Sequence, residues 1–428
     1  MKSILFKEKL PYQEHYNANN LLGIKNYGNS IVLDLFDALS YIVYTDFYTP
    51  RDEDTNNLKK LTVNIPVNNL DLFNNVKDEL NKLVKYVTNG ENWNINFYKI
   101  KTPKFIDNNH LDVDTIKYNS ICLLSGGLDS LAGTQFEKSN NTIFVTFQTN
   151  SIELNNSSKI YDELIKDVNN VRVEILKKNF KCDSHYTERT RSLMFLVSCI
   201  IYADYYNINK IKIYENGIMS LNPKFNFSRR VTKTTNQKTL FMFNEILEKL
   251  GINISVINPF KYKTKSEVIS FIPDNYLMHI KNNTRTCSKN PGIVHFRNKH
   301  KGNFHCGVCI ACILRQIGIH NNGLDMYDSD YCLPKNLIDL KKIKEYECSI
   351  SKKNNIDEDL KAAYYKYSEK KSLILYYKQF YNAIMDKSIY NYLDLDKRYY
   401  CDDNYLSEIE SLLNNFAKEL EKYFKVLE

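Results

Sequence analysis

The 428-residue chain lacks an apolar run of membrane-spanning length and contains only 13 glycines and 9 prolines. The missing run argues against a transmembrane segment, and the shortage of glycine and proline argues against long flexible linkers. The chain begins Met1-Lys2-Ser3-Ile4 and soon becomes charged, unlike a secretory signal peptide. We therefore expect a cytoplasmic protein. Its length allows two or three domains, and the 43% of hydrophobic residues is enough for substantial cores.

The charge and the cysteine content give limited information on ligands. A net charge of +8 is compatible with nucleotide or RNA ligands but too small to indicate either, and we do not expect a nucleic acid as the direct ligand. Ten cysteines in a chain of this length do not form a disulfide scaffold. In a reducing compartment, clustered cysteines indicate a metal site instead.

Apolar patterning divides the chain into three predicted domains. We expect residues 1–110 to form a small α+β accessory domain without catalytic residues, and residues 333–428 to be helical. Apolar residues at heptad-like spacing in 409–426 support the second expectation. The middle part of the chain, residues 118–332, alternates strand and helix patterns, which predicts an α/β domain with an open parallel sheet.

The individual elements follow from the same patterns. In the first domain, apolar segments occur at 30–33 and 61–67, and a helix is predicted at 71–86. The strands predicted in the α/β domain are 121–124, 142–147, 171–176, 210–214 and 253–257. The helices predicted between them are 130–138, 158–168, 189–206 and 238–250.

The most informative motif runs from Ser125 to Ser130 and reads Ser-Gly-Gly-Leu-Asp-Ser. It follows a short apolar strand and precedes a helix, which Asp129 or Ser130 is expected to cap. Backbone N–H groups at such a turn meet the positive end of the helix dipole, and glycines let an anion approach the backbone. The motif therefore predicts a phosphate-binding site at the carboxyl end of the first strand of the sheet.

This motif is not a Walker A loop, because it has no lysine and no closing Gly-Lys-Ser/Thr. It resembles the PP-loop of the ATP pyrophosphatases, which have an adenine nucleotide alpha hydrolase-like fold. The resemblance implies cleavage of ATP between its α and β phosphates and activation of a substrate by adenylation. It also implies a set of ATP-binding residues: Ser125, Gly126, Gly127, Leu128, Asp129 and Ser130.

A second motif places three cysteines, Cys306, Cys309 and Cys312, in two consecutive C-x-x-C steps, with Cys287 upstream. Four thiolates suit a closed tetrahedral Zn²⁺ site, whose binding energy would order this loop. An iron–sulfur cluster is the alternative, because it uses similar spacing.

Several further segments resemble the QueC family, the 7-cyano-7-deazaguanine synthases, and the resemblance covers residues 119–331. The matching segments, in family order, are Ser125–Ser130, Thr190–Leu196, Asn258–Phe260, Thr264–Val268, Thr284–Cys287, Cys306–Arg315 and Gly323–Tyr327. The resemblance implies that the glycine motif holds the β and γ phosphates with Mg²⁺, and that the four cysteines bind Zn²⁺. It assigns catalytic roles to Asp129, Ser130, Arg191 and Lys265, the last two as cations that neutralise phosphate charge.

The chain departs from this family where the substrate is recognised. Where the family has a Tyr-Pro-Asp-Cys-Arg element, this chain has the segment from Glu215 to Pro223, followed by Ser228-Arg229-Arg230. We take four residues as candidates for contacts to a purine-like base: Glu215, Asn216, Gly217 and Arg229. The additional terminal domains resemble the QueC-like proteins of bacterial anti-phage operons (the Qat and type IV CBASS systems).

The resemblance to that branch implies an ATP-dependent reaction of a 7-deazaguanine and modification of a partner protein from the same operon. Three alternatives remain: a 7-cyano-7-deazaguanine synthase that uses ammonia, a tRNA thiolase with an iron–sulfur cluster, and a non-catalytic scaffold that senses nucleotide. The sequence specifies neither the acceptor nor an oligomeric state.

Overall fold

The computed structural model describes residues 2–4, 28–49, 59–100, 118–138, 141–148, 159–164, 171–177, 189–223, 233–287, 305–307, 309–331 and 373–424. Within these ranges the chain is a mixed α/β protein with two sheets, and every strand pair in both sheets is parallel. In this part of the chain no helix combines the length and apolar character that a bilayer crossing requires.

The amino-terminal region is built on a three-stranded sheet in the order β1-β2-β3. Its strands are β1 (Lys2–Ile4), β2 (Lys60–Val67) and β3 (Asn92–Lys99), and its helices are α1 (Ser30–Tyr48), α2 (Leu70–Asn75) and α3 (Lys77–Val87). The predicted apolar segment 61–67 lies in β2. The segment 30–33 instead opens α1, a 19-residue helix that is mostly apolar and largely buried. The single helix predicted at 71–86 is two helices, interrupted at Val76.

The central sheet has five strands in the order β6-β5-β4-β7-β8. The strands are β4 (Ser120–Leu123), β5 (Thr142–Gln148), β6 (Val171–Lys177), β7 (Lys210–Lys212) and β8 (Ser255–Ile257), which agrees with the five predicted strands to within a few residues. The chain first extends outward from β4 through β5 to β6, and then crosses back to add β7 on the other side of β4. This reversal opens a crevice between the carboxyl ends of β4 and β7, where ligands bind in sheets of this kind.

In the described part of the same region there are seven helices with defined ends. They are α4 (Leu128–Phe136), α5 (Arg191–Tyr205), α6 (Gly217–Leu221), α7 (Gln237–Lys249), α8 (Lys265–Ile269), α9 (Leu277–Asn283) and α10 (Ile310–Asn321). Residues 159–164 are also helical. Helix α5 is apolar on most of its surface because it lies between the central sheet and α1. As a result, one hydrophobic core runs from the amino-terminal region into the α/β region.

The carboxy-terminal region is helical in its described part, at 373–385, α11 (Lys397–Tyr400) and α12 (Tyr405–Tyr423). The apolar residues predicted at heptad-like spacing in α12 and just beyond it are buried: Ile409, Leu412, Leu413, Phe416, Leu420 and Phe424. They share a core with residues of α6 and α10, such as Ile218 and Ile317. The helices therefore pack directly on the elements that border the crevice.

Candidate functional site

The turn after β4, residues 124–130, is named the glycine turn below. Gly126 has a φ of +72°, which residues with a side chain rarely adopt. The Ser130 hydroxyl lies 2.8 Å from that of Ser125 and accepts the Ser125 backbone N–H at 3.1 Å. The expected side-chain cap was wrong: α4 begins at Leu128 with Gly127 as its N-cap residue and without a capping side chain. Its first N–H groups are left facing the turn, as an anion site needs.

Asp129 is buried in the crevice and accepts several hydrogen bonds there. Its Oδ1 accepts a hydrogen bond from the Lys265 ammonium at 2.7 Å, and the two side chains are only 8% and 2% exposed. Its Oδ2 accepts bonds from Asn216, from the backbone N–H at 3.3 Å and from Nδ2 at 3.1 Å. The structure thus brings together residues from the ends of β4 and β7 and from the start of α8.

A second carboxyl, that of Glu215, lies beside Asp129. Burial raises the pKa of Glu215 well above its usual range, and the neighbouring Asp129 carboxylate adds to the effect. Burial opposes the ionisation of Asp129 as well, but the Lys265 charge and the hydrogen bonds from Glu215, Lys265 and Asn216 leave its pKa below the ordinary value. Asn258 holds Glu215 in place, because its Nδ2 donates to the Glu215 carbonyl at 2.8 Å.

The other predicted residues lie in different settings. The Asn216 amide is used within the protein, since Nδ2 also donates to Glu215 and Oδ1 accepts the Met219 N–H at the start of α6. Gly217 is packed tightly, because a Cβ there would lie 2.5 Å from Leu412 Cδ2. Arg191 opens α5 with its guanidinium 5.5 Å from the centre of the Phe195 ring. Arg229 lies outside the described residues.

Lys265 is held by features that were not predicted from the sequence. It is the first residue of α8, which Thr264 and Glu267 begin with a reciprocal capping box. Its stem packs on Gly318 of α10, where a Cβ would lie 2.7 Å from Lys265 Cγ. A glycine inside a helical pattern can signal such close packing. Glu419 of α12, which accepts a hydrogen bond from the Thr264 hydroxyl, carries no comparable signal.

The four predicted metal ligands converge. The sulfur atoms of Cys287, Cys306, Cys309 and Cys312 all lie within 4.8 Å of one another, and those of Cys306 and Cys312 are 3.7 Å apart. A tetrahedral Zn²⁺ with Zn–S bonds of about 2.3 Å separates its sulfurs by about 3.8 Å. The backbone N–H of Cys306 points at the Cys287 sulfur and that of Cys312 at the Cys309 sulfur, each at 3.4 Å. This cluster can therefore hold one metal ion.

Burial raises the pKa of the Cys312 thiol well above its usual range. A buried thiol of this kind stays protonated without a compensating cation, and a metal ion removes its proton. Beside the cluster, His305 is fully buried, and its Nε2 accepts the Thr286 N–H at 3.1 Å. Burial, aided by the Arg315 charge, lowers the pKa of His305 to about 3, so this imidazole is neutral.

Arg315 ties the cysteine lobe to the rest of the domain. Its buried guanidinium binds Asp328 at 2.8 Å and donates to the Ile280 carbonyl at 2.6 Å, which fixes the segment that leads to Cys287. In that segment the Arg285 N–H donates to the Gly126 carbonyl at 2.9 Å. The cysteine cluster and the glycine turn are therefore joined by the backbone of a single segment.

Taken together, the crevice presents a glycine turn with two hydroxyls, a helix start, and a carboxylate fixed by a buried lysine. These groups can receive an anion and a cation that accompanies it. Comparison of the chain with family models, with curated proteins and with solved structures finds no match.

Proposed function

We propose that the crevice binds ATP and activates an acceptor by adenylation, with release of pyrophosphate. The observation that supports this most strongly is the position of the glycine turn at the carboxyl end of β4, beside the point where the strand order reverses. Parallel sheets bind nucleotides at this point, and the start of α4 favours negative charge there. The resemblance of Ser125–Ser130 to a PP-loop assigns this charge to the β and γ phosphates.

In this proposal each part of the crevice has one task. The Ser125 and Ser130 hydroxyls and the N–H groups at the start of α4 bind the departing diphosphate. Asp129 offers carboxylate oxygens that suit Mg²⁺, which would neutralise phosphate charge when bound. Lys265 positions Asp129 through their 2.7 Å ion pair. Arg191, at the start of α5, supplies a further cation for the phosphates, as the family resemblance implies.

The cysteine cluster is proposed to hold a structural Zn²⁺. Four thiolate donors make a closed site with no position for substrate, as in structural zinc sites. A [4Fe–4S] cluster attaches each cysteine to a different iron and spreads the sulfurs farther apart than a single ion does. The 3.7 Å separation of Cys306 and Cys312 supports the single ion and makes a tRNA thiolase with such a cluster the less favoured reading.

The acceptor is proposed to be a 7-deazaguanine, later transferred to a partner protein of the same operon. This part rests on the QueC-like motifs and on the terminal regions that resemble the anti-phage branch. Glu215 lies at the crevice beside Asp129, where it can contact a bound base. A 7-cyano-7-deazaguanine synthase remains the second reading, because the same crevice would serve it.

The test compares three variants on α4. Ser130→Ala and Asp129→Ala should each abolish the release of AMP and pyrophosphate and weaken ATP binding in equilibrium dialysis. Thr134→Val is the matched control, because its hydroxyl donates to the Leu131 carbonyl and accepts from the Gln135 side-chain amide, both away from the glycine turn. Assays should supply 7-carboxy-7-deazaguanine with ammonium, or the co-expressed neighbouring protein, whose mass is then measured.

The outcomes separate the readings. A mass increase of deazaguanine size on the neighbouring protein supports the proposed modification, and nitrile formation from ammonium supports the synthase. Tight ATP binding without turnover under every condition supports a nucleotide-sensing scaffold. Unchanged ATP binding and AMP release in both Ser130→Ala and Asp129→Ala would refute the assignment of the glycine turn.

A further inference from the structure

A second cavity, away from the crevice, lies where the three regions of the chain meet. It has a volume of about 590 Å³ and shares no residue with the glycine turn or the cysteine cluster. Its walls come from α3, from the start and middle of α7 with the turn before it, and from α11. The volume is within the range of about 300–1,000 Å³ that is typical of small-molecule sites.

The walls of this cavity are predominantly cationic. Five basic side chains line it together with two carboxylates, those of Glu79 and Glu245. The basic residues are Lys82, Lys85, Lys233, Lys238 and Arg398. One of the two carboxylates is already neutralised from outside the cavity, because Glu79 pairs with Lys249 at 2.5 Å. Two of the five cations are also paired with carboxylates, Lys238 with Asp394 at 2.9 Å and Arg398 with Asp396 at 2.5 Å. The basic side chains still outnumber the carboxylates, which favours an anionic ligand.

Three aromatic rings also line the cavity. Tyr86, Phe241 and Tyr399 contribute one ring each, and the centres of the Phe241 and Tyr399 rings are 5.3 Å apart. The Lys233 ammonium lies 4.0 Å from the centre of the Tyr86 ring. The Lys238 ammonium lies 5.2 Å from the Tyr86 ring centre and 5.0 Å from that of Tyr399. Rings and cations are thus adjacent before any ligand binds.

These cations are held in place rather than mobile in solvent. Lys233 donates to the Tyr86 carbonyl at 3.0 Å, and Lys238 pairs with Asp394 at 2.9 Å. The Tyr86 hydroxyl donates to Asn236 at 3.0 Å, which fixes the ring between the two lysines. A lining fixed in this way loses little side-chain entropy when a ligand binds.

We propose that this cavity is a second nucleotide site, which takes a nucleoside phosphate distinct from the ATP of the crevice. The phosphate binds the lysines and Arg398, and the base packs against the aromatic rings. The rings accept any base, because every base has a π-face on which they can stack. The volume of about 590 Å³ suits a ligand of one or two nucleotides. The proposal does not depend on the adenylation chemistry of the crevice.

The experiment uses the full chain and AMP as the probe. AMP affinity is measured by equilibrium dialysis for the parent protein and for Lys82→Glu/Lys85→Glu. These two lysines are exposed, so their reversal should preserve the fold, which circular dichroism checks. The control is Lys418→Glu, an exposed reversal on α12 away from the cavity lining. In parallel, 8-azido-AMP is cross-linked by light and the labelled peptides are identified by mass spectrometry.

We expect the double reversal to weaken AMP binding at least tenfold, equivalent to about 1.4 kcal/mol, while Lys418→Glu leaves it unchanged. Adenosine, which lacks the phosphate, should also bind at least tenfold more weakly than AMP. The cross-links should fall on peptides containing Tyr86, Phe241 or Tyr399. Unchanged AMP affinity in the double variant, or labels confined to the glycine turn, would overturn the proposal. Binding of a long oligonucleotide without binding of AMP would overturn it too.

Discussion

The ion pair between Lys265 and Asp129 gives the most direct quantitative test of the crevice. The two side chains are 2% and 8% exposed, and the atoms that pair are 2.7 Å apart. In Lys265→Met the Asp129 carboxylate keeps its bonds from Asn216 but loses its only cation in the described structure. Removing one partner of a buried pair costs roughly 3–5 kcal/mol, mostly because a buried charge is left uncompensated.

The same reasoning applies to Asp129→Asn, which leaves the Lys265 ammonium buried without a carboxylate. The double variant leaves neither charge, so its loss of stability should be smaller than the sum of the two single losses. We expect this coupling to exceed about 1 kcal/mol. The free energy of unfolding is measured by urea titration followed by circular dichroism for the parent and the three variants.

Lys263→Met is the matched control. Lys263 lies two residues before Lys265 with its ammonium 5.5 Å from the centre of the Phe271 ring, a contact worth about 0.5–1 kcal/mol at an exposed site. Its removal should cost no more than that. If the losses from the two single variants add to within about 0.5 kcal/mol, the charges are not coupled and the account of the crevice is wrong.

Three further predictions concern the surroundings of the crevice. In Gly318→Ala the new Cβ would overlap the stem of Lys265, which costs about 1–3 kcal/mol, while the better helix propensity of alanine regains about 1 kcal/mol. The free energy of unfolding should therefore fall by up to about 2 kcal/mol, and ATP binding should weaken in equilibrium dialysis. Burial raises the pKa of Glu419 from 4.5 to about 7, against the opposing effect of Thr264. The folded state therefore binds the proton more tightly, so the free energy of unfolding should fall by about 3 kcal/mol as pH rises from 4.5 to 7. When the free energy of unfolding is measured by urea titration at each pH, Glu419→Gln should remove this decrease. Cys306→Ser should reduce the zinc content found by mass spectrometry and lower the melting temperature.

Each of these has a result that contradicts it. Unchanged stability and ATP affinity in Gly318→Ala would mean that α10 shifts to make room for the new Cβ without displacing Lys265, which contradicts the first of these predictions. The pH profile of Glu419→Gln should be compared with that of Glu421→Gln, an exposed neighbour on α12, and identical profiles would exclude Glu419 as the titrating group. Full zinc content in Cys306→Ser, or a brown colour in the purified parent protein, would count against a four-cysteine zinc site.

Much of the central region was predictable because its signals are local. Short apolar strands between helical patterns gave all five strands, and C-x-x-C spacing identified three of the four clustered cysteines, with Cys287 added by the residues around it. The amino-terminal region was harder. The apolar segment at 30–33 is too short to distinguish a strand from a buried helix, and only the continuation to Tyr48 shows that it opens α1. The break at Val76 carries no sequence signal such as proline or glycine.

The arrangement of the crevice depended on contacts between distant residues. Lys265 is 136 positions from Asp129, and the helices that hold it contribute Gly318 and Glu419 from still farther along the chain. Nothing in the sequence showed that Lys265 would be buried in an ion pair, or that Arg285 would join the cysteine lobe to the turn at Gly126.

By itself, therefore, the amino-acid sequence determined the chemical groups, the glycine turn and the individual strands, since each depends on residues that are neighbours in the chain. The tertiary structure alone decided which charges are paired, which glycines make room for other side chains, and where a cationic and aromatic cavity forms between regions. These properties depend on burial and on distances of a few ångströms between atoms, and only the packing of the complete chain sets those.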